Sequence, residues 1–120
     1  MKSLLIATLV ATLSLTAQAS ERPAHFKGAE ISSAHQALSV LQEQNSKLAA
    51  LLAGELNPTS MTEIHQLTYT LENALAKLPG ASDEIKEVLE EVHQGSETMD
   101  YQRVKDNGAY YLQLAKALVK

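Results

Sequence analysis

The chain has 120 residues, with ten lysines and arginines against fourteen aspartates and glutamates, a net charge of −4 at neutral pH, and no cysteine. That composition excludes a disulfide framework, thiolate metal centres, cysteine nucleophiles and covalently attached haem. Scattered charge of negative sign also argues against nucleic acid and anionic membranes as partners, while remaining compatible with a cation.

The chain opens Met1-Lys2-Ser3, runs uncharged from Leu4 to Leu15, and reaches Ala17-Gln18-Ala19 before Ser20. One positive charge, a short apolar run and an A-x-A site predict a secretory signal peptide over residues 1–19, too short for a comfortable membrane span. With Lys2 in that leader, nine basic residues face fourteen acidic ones in the mature chain, a balance of −5. No cysteine is available to carry a lipid, so the expectation is a periplasmic or secreted protein without a membrane anchor.

Residues 20–30 show no period and read as an extended N-terminal arm that lays Phe26, the one phenylalanine, over an end of the domain. His25 reads as a solvated or capping histidine before a ligand. Residues 31–120 suit one domain.

Within it the first helix starts near Ser32 or Ser33, where Ser33 with Gln36 fits a capping box, and ends at Gly54. Its inward positions are Ile31, Ala34, Leu38, Leu41, Asn45, Leu48 and Leu52, and Asn45 interrupts that seam. A buried asparagine fixes register at some cost in stability. Asn57 and Pro58 begin the second helix, with Ser60 and Glu63 offering another start, and Leu78-Pro79-Gly80 ends it. At about 100° per residue, Glu63, Gln66, Thr70, Asn73 and Lys77 form its solvated side. Met61, Ile64, Thr68, Leu71, Glu72 and Leu75 form its inward side, with His65 on the flank. Glu72 is the anomaly there, because a carboxylate in an apolar stripe needs a partner, a proton or a ligand.

Ser82 caps the third helix, with Asp83 and Glu84 at its positive end. Ile85, Val88, Leu89, Val92 and Ser96 face inward and His93 sits on the border. After a turn at 98–100, the fourth helix turns Tyr101, Val104, Gly108, Tyr111, Ala115 and Leu118 inward. Gly108 in a helix interior costs about 1 kcal/mol relative to alanine and marks the close approach of a neighbouring helix or a ligand. Four amphipathic segments with short connections and no strand alternation predict an all-α, antiparallel up-down-up-down four-helix bundle.

Antiparallel pairing sets Asn45 level with Thr68, Thr68 with His93, and Leu89 with Gly108. Asn45, His65, Thr68, Glu72, His93 and Gly108 then share a few layers, and Tyr111 leans so that its hydroxyl reaches toward Glu72. Such a polar network has two readings. As architecture, Glu72 is satisfied by Tyr111, Thr68 or an amide, and the network specifies register. As a site, His65, Glu72 and His93 hold one zinc, copper or iron ion, with Asn45, Thr68, Tyr111 and Gly108 lining it.

Larger cofactor sites find less support. A di-iron centre needs two Glu-x-x-His motifs, and only Glu90 with His93 has that spacing, Glu90 on the outward side. Haem has axial candidates in His35, Met61, His65, His93 and Met99, but the aromatic lining is thin. No serine elbow or phosphate-cradling glycine loop is present, so a non-enzymatic protein is expected and no cofactor is identified.

Three stretches carry a resemblance: Arg22-Pro23-Ala24-His25-Phe26-Lys27-Gly28, then His65 to Leu75, then Leu89-Glu90-Glu91-Val92-His93 with Ser96-Glu97. They resemble an uncharacterised family of small secreted proteobacterial proteins. The resemblance implies compartment and helical fold but no activity. The expected function is a small-ligand or metal-binding module, monomeric or weakly homodimeric. The alternative is an interaction or chaperone-like protein using an outer face that carries Tyr69, Tyr110 and Leu51.

Overall fold

Each helix begins where the sequence supplies a side-chain oxygen for its first free amides. In the computed structural model, which describes residues 27–119, Ser33 accepts from the Gln36 amide and α1 runs Ala34–Ala53. Gln36 returns its side chain to Ser32 rather than Ser33, accepting from the amide at 2.8 Å and the hydroxyl at 2.7 Å, so the expected box is displaced by one residue. Helix α2 spans Pro58–Ala76 under a reciprocal Asn57–Ser60 box at 3.0 and 2.9 Å, which absorbs both starts that the sequence offered. Helix α3 spans Asp83–Glu97 below Ser82 and α4 spans Tyr101–Ala115 below Asp100. Met99 takes a left-handed φ of 55° between them, and the Asp100 amide closes the turn on the Gly95 carbonyl at 2.9 Å.

The helices pack as a closed ring in which α1 meets α2, α2 meets α3, α3 meets α4 and α4 returns to α1. This is the expected all-α four-helix arrangement. Leu41 and Leu48, Ile64 and Leu71, Leu89 and Val92, and Val104 and Tyr111 are fully buried from the four helices in turn. Each fully buried leucine contributes about 1.5–3 kcal/mol relative to an exposed one. None of the described helices is long and apolar enough to cross a membrane.

Some inward assignments move. Ala37 takes the core place expected of Ala34, which is exposed, while Leu38 and Leu52 are half-buried. Tyr101, expected inward, is the first residue of α4 and is 39% exposed. Both interior glycines mark close approaches. A Cβ at Gly108 would stand 2.6 Å from Leu52 Cδ1, so α1 rather than a ligand fills that space, and a Cβ at Gly95 would stand 2.9 Å from Val104 Cγ2. Arg103 of α4 clips this α3–α4 seam, donating to Glu91 and Gln94 at 2.8 Å each.

The expected solvated side of α2 is partly covered by the arm. The Ala29 amide donates to Thr70 Oγ1 at 3.0 Å, and Asn73 Nδ2 donates to the carbonyls of Lys27 and Ala29 at 3.0 and 3.1 Å. Thr70 is consequently buried, which its place on the helical wheel does not announce. Gly28 makes this seating feasible, since its φ is 70° and a Cβ there would lie 2.8 Å from the backbone of Tyr69 and Thr70. The expectations for residues 1–19, His25 and Phe26 lie outside the described residues.

Candidate functional site

The non-apolar residues anticipated in one central layer divide between two seams. On the α1–α4 seam, Tyr111 Oη donates to Asn45 Oδ1 at 2.7 Å. Tyr111 is fully buried and burial drives its phenol well above the usual range, so it remains a neutral donor. It therefore does not partner Glu72, contrary to the expected reach, because α4 turns its hydroxyl toward α1. Gly108 also belongs to this seam, under Leu52.

The α2–α3 seam carries the chemistry. The expected Thr68–His93 level is realised as a contact of 3.0 Å between Thr68 Oγ1 and His93 Nδ1. Thr68 donates its own proton to the His65 carbonyl at 2.6 Å, so toward His93 it acts as acceptor and Nδ1 carries the hydrogen. His93 Nε2 then faces Glu97 Oε1 at 2.9 Å, and His65 Nε2 approaches the same oxygen at 3.2 Å. The rings of His65, His93 and Tyr69 meet edge to face, with centroids 4.8–5.1 Å apart. His93 is 5% exposed, whereas His65 and Glu97 are 23% and 24% exposed, so the cluster is rooted in the core and open on one side.

Glu97 replaces Glu72 in the expected His65–Glu72–His93 set. Glu72 lies on the opposite side of His93, its Oε1 3.0 Å from Nδ1, because on α2 it is nearly two turns from His65. Thr68 Oγ1 stands at the same 3.0 Å from Nδ1, and Glu72 Oε1 is buried without a hydrogen bond among the described residues. Burial pushes the Glu72 carboxyl above its ordinary range, His93 pulls it back, and Glu90 and Glu97 push with burial. Glu90 is exposed as expected, yet its carboxylate groups with Glu72 and His93 within metal-ligand spacing.

A raised folded-state carboxyl penalises the charged form, so stability increases as pH falls through the folded value and levels off below the unfolded one. Glu72→Gln in metal-free protein is therefore expected to raise the thermal midpoint at neutral pH, the gain closing as pH falls through that window. Lower stability of the variant at neutral pH would mean that the attraction of His93 outweighs burial.

Sequence reasoning named Glu97 only within a resembling stretch. The available signal was His93-x-x-x-Glu97, a separation that places two donors on one helix face. Glu97 is also the last residue of α3, whose last turn holds no basic side chain.

Of the outward residues, Tyr69 joins the histidine cluster. Tyr110 is 42% exposed and donates to Glu84, and Leu51 lines a groove of about 680 Å³ between α1 and α2 with Leu67 and Ala50. No curated protein and no solved structure matches this chain significantly. A family model described as a family of unknown function (DUF6746) matches residues 1–120, and the chain belongs to that family.

Proposed function

We propose that this is a secreted or periplasmic, non-enzymatic helical bundle that binds one transition-metal ion through His65 Nε2, His93 Nε2 and Glu97 Oε1. The observation that carries the reading is the convergence of His65 Nε2 and His93 Nε2 on one oxygen of Glu97, with Thr68 against the other ring nitrogen of His93. Thr68 holds the hydrogen on Nδ1, which aims the other nitrogen at the carboxylate oxygen already shared with His65. Ligand atoms around a four-coordinate ion with bonds of 2.0–2.1 Å stand about 3.3 Å apart. The observed separations of 2.9 and 3.2 Å require only a small outward adjustment. A histidine ligand whose second nitrogen is hydrogen-bonded in this way is oriented before the ion arrives.

In the metal-free protein, with the His93 hydrogen on Nδ1, Nε2 can donate to this oxygen only when it carries a second proton, and that proton occupies the place of the ion. Affinity therefore falls as the histidines protonate. Titration with cobalt(II), followed by its visible d–d bands, tests the proposal. One ion per chain is expected, with a strong loss for Glu97→Gln. Unchanged binding by that variant would remove Glu97 from the site.

The groove beside Leu51 and Leu67 favours a second reading, in which the α1–α2 face engages a partner. Leu67→Glu would separate the readings, since it alters that face without touching the metal donors.

A further inference from the structure

Three donors leave one corner of a four-coordinate ion unfilled, and the Tyr69 phenol oxygen lies 3.5 Å from one of those donors, His65 Nε2. We propose that the Tyr69 phenol oxygen is the fourth ligand, which makes the centre a two-nitrogen, two-oxygen set suited to ferric iron. This inference rests on the metal-binding reading above and specifies its metal.

The placement follows from helical spacing. Tyr69 lies one turn beyond His65 on α2, as Glu97 lies one turn beyond His93 on α3, so each helix contributes a nitrogen and an oxygen from one face. Tyr69 Oη is 3.5 Å from His65 Nε2, close to the separation of about 3.3 Å expected between donors on one ion. Its ring stands at 79° to His65 and 77° to His93, a packing that orients the phenol without help from a metal.

The choice of ion follows from the donors. Two imidazoles with a carboxylate and a phenol oxygen, and no sulfur, favour a hard cation of high charge over soft ions such as copper(I). Binding forms an iron–oxygen bond and breaks the phenol O–H bond, and the proton leaves to solvent with no change in oxidation state. The ferric charge is then offset by the phenolate, by Glu97, and by Glu72 behind His93. A zinc-type ion leaves the phenol protonated and takes water at that corner.

The experiment supplies ferric nitrilotriacetate and, separately, cobalt(II) to the wild type and to Tyr69→Phe, with Tyr110→Phe as a control for exposed phenols. Wild type and Tyr110→Phe are expected to develop a visible phenolate-to-iron charge-transfer band. Tyr69→Phe is expected to lose it while keeping the cobalt(II) spectrum, which also reports an intact fold. Persistence of the band in Tyr69→Phe, or cobalt binding by the wild type without a ferric band, would overturn the assignment of Tyr69. Failure of the wild type to bind either ion would overturn the metal reading and this inference with it.

Discussion

In the presence of a bound metal at about 100 times its dissociation constant, the wild type is expected to gain about 2.7 kcal/mol of stability. For a domain of this size that corresponds to a rise of roughly 10–20 °C in the thermal midpoint. His65→Gln should abolish the rise while changing the metal-free midpoint little, because His65 is partly exposed and its removal opens no core cavity. Thr68→Val is the more informative variant. It keeps all three ligands but removes the acceptor that fixes the His93 tautomer, and loss of such an orienting partner typically costs 10–100-fold in affinity. Differential scanning fluorimetry with and without metal measures both. An equal metal-induced shift in wild type and His65→Gln would sink the proposed site.

The second large effect lies on the other seam. Tyr111→Phe removes the hydrogen bond to Asn45 Oδ1, and because Asn45 is only half-buried and borders a groove that admits water, the expected loss is that of the bond itself, about 0.5–1.5 kcal/mol. Asn45→Leu combined with Tyr111→Phe should cost little more than either change alone, because each removes the same bond. Chemical denaturation of the two single variants and the double variant provides the cycle. Additive losses would show that the two residues do not act as a pair. Neither change should alter metal binding, since Asn45 and Tyr111 join α1 to α4, away from the α2–α3 cluster.

The comparison between these seams explains why reading the helical faces merged them. A helical wheel identifies which residues turn inward, and Asn45, Thr68, Glu72, His93 and Tyr111 all share that property to some degree. It does not state which of two neighbouring helices an inward side chain meets. That choice depends on crossing geometry and on a rotation of a few tens of degrees about each axis. Close approaches such as that of Leu52 to Gly108 settle it.

The helices and their limits were legible because their causes are local. Ser33, Asn57 and Ser82 supply caps within three residues of the amides that they satisfy, and the apolar period of Ile64, Leu71 and Leu75 needs no knowledge of the rest of the chain, whereas Asp100 was read only as part of a turn and α4 ends at Ala115, short of Leu118. His93 was also recoverable as a level with Thr68, since short connections constrain antiparallel register. What local pattern could not supply was the identity of the carboxylate. Glu72 stood out as a charge on an apolar stripe, while Glu97 looked like an ordinary residue at a helix end. Only the packing of α2 against α3 brings His65 Nε2 and His93 Nε2 to one oxygen of Glu97 and sets Glu72 behind the ring. The arm is a second case, since burial of Thr70 depends on a segment 41 residues away in sequence. By itself the sequence determined the four helices, most of their caps and most of their inward positions, because each depends on residues within a turn or two, while Ala37, Tyr101 and Thr70 departed from the wheel. The tertiary structure alone decided which polar groups meet, because a contact of about 3 Å between helices depends on the rotation and register of both.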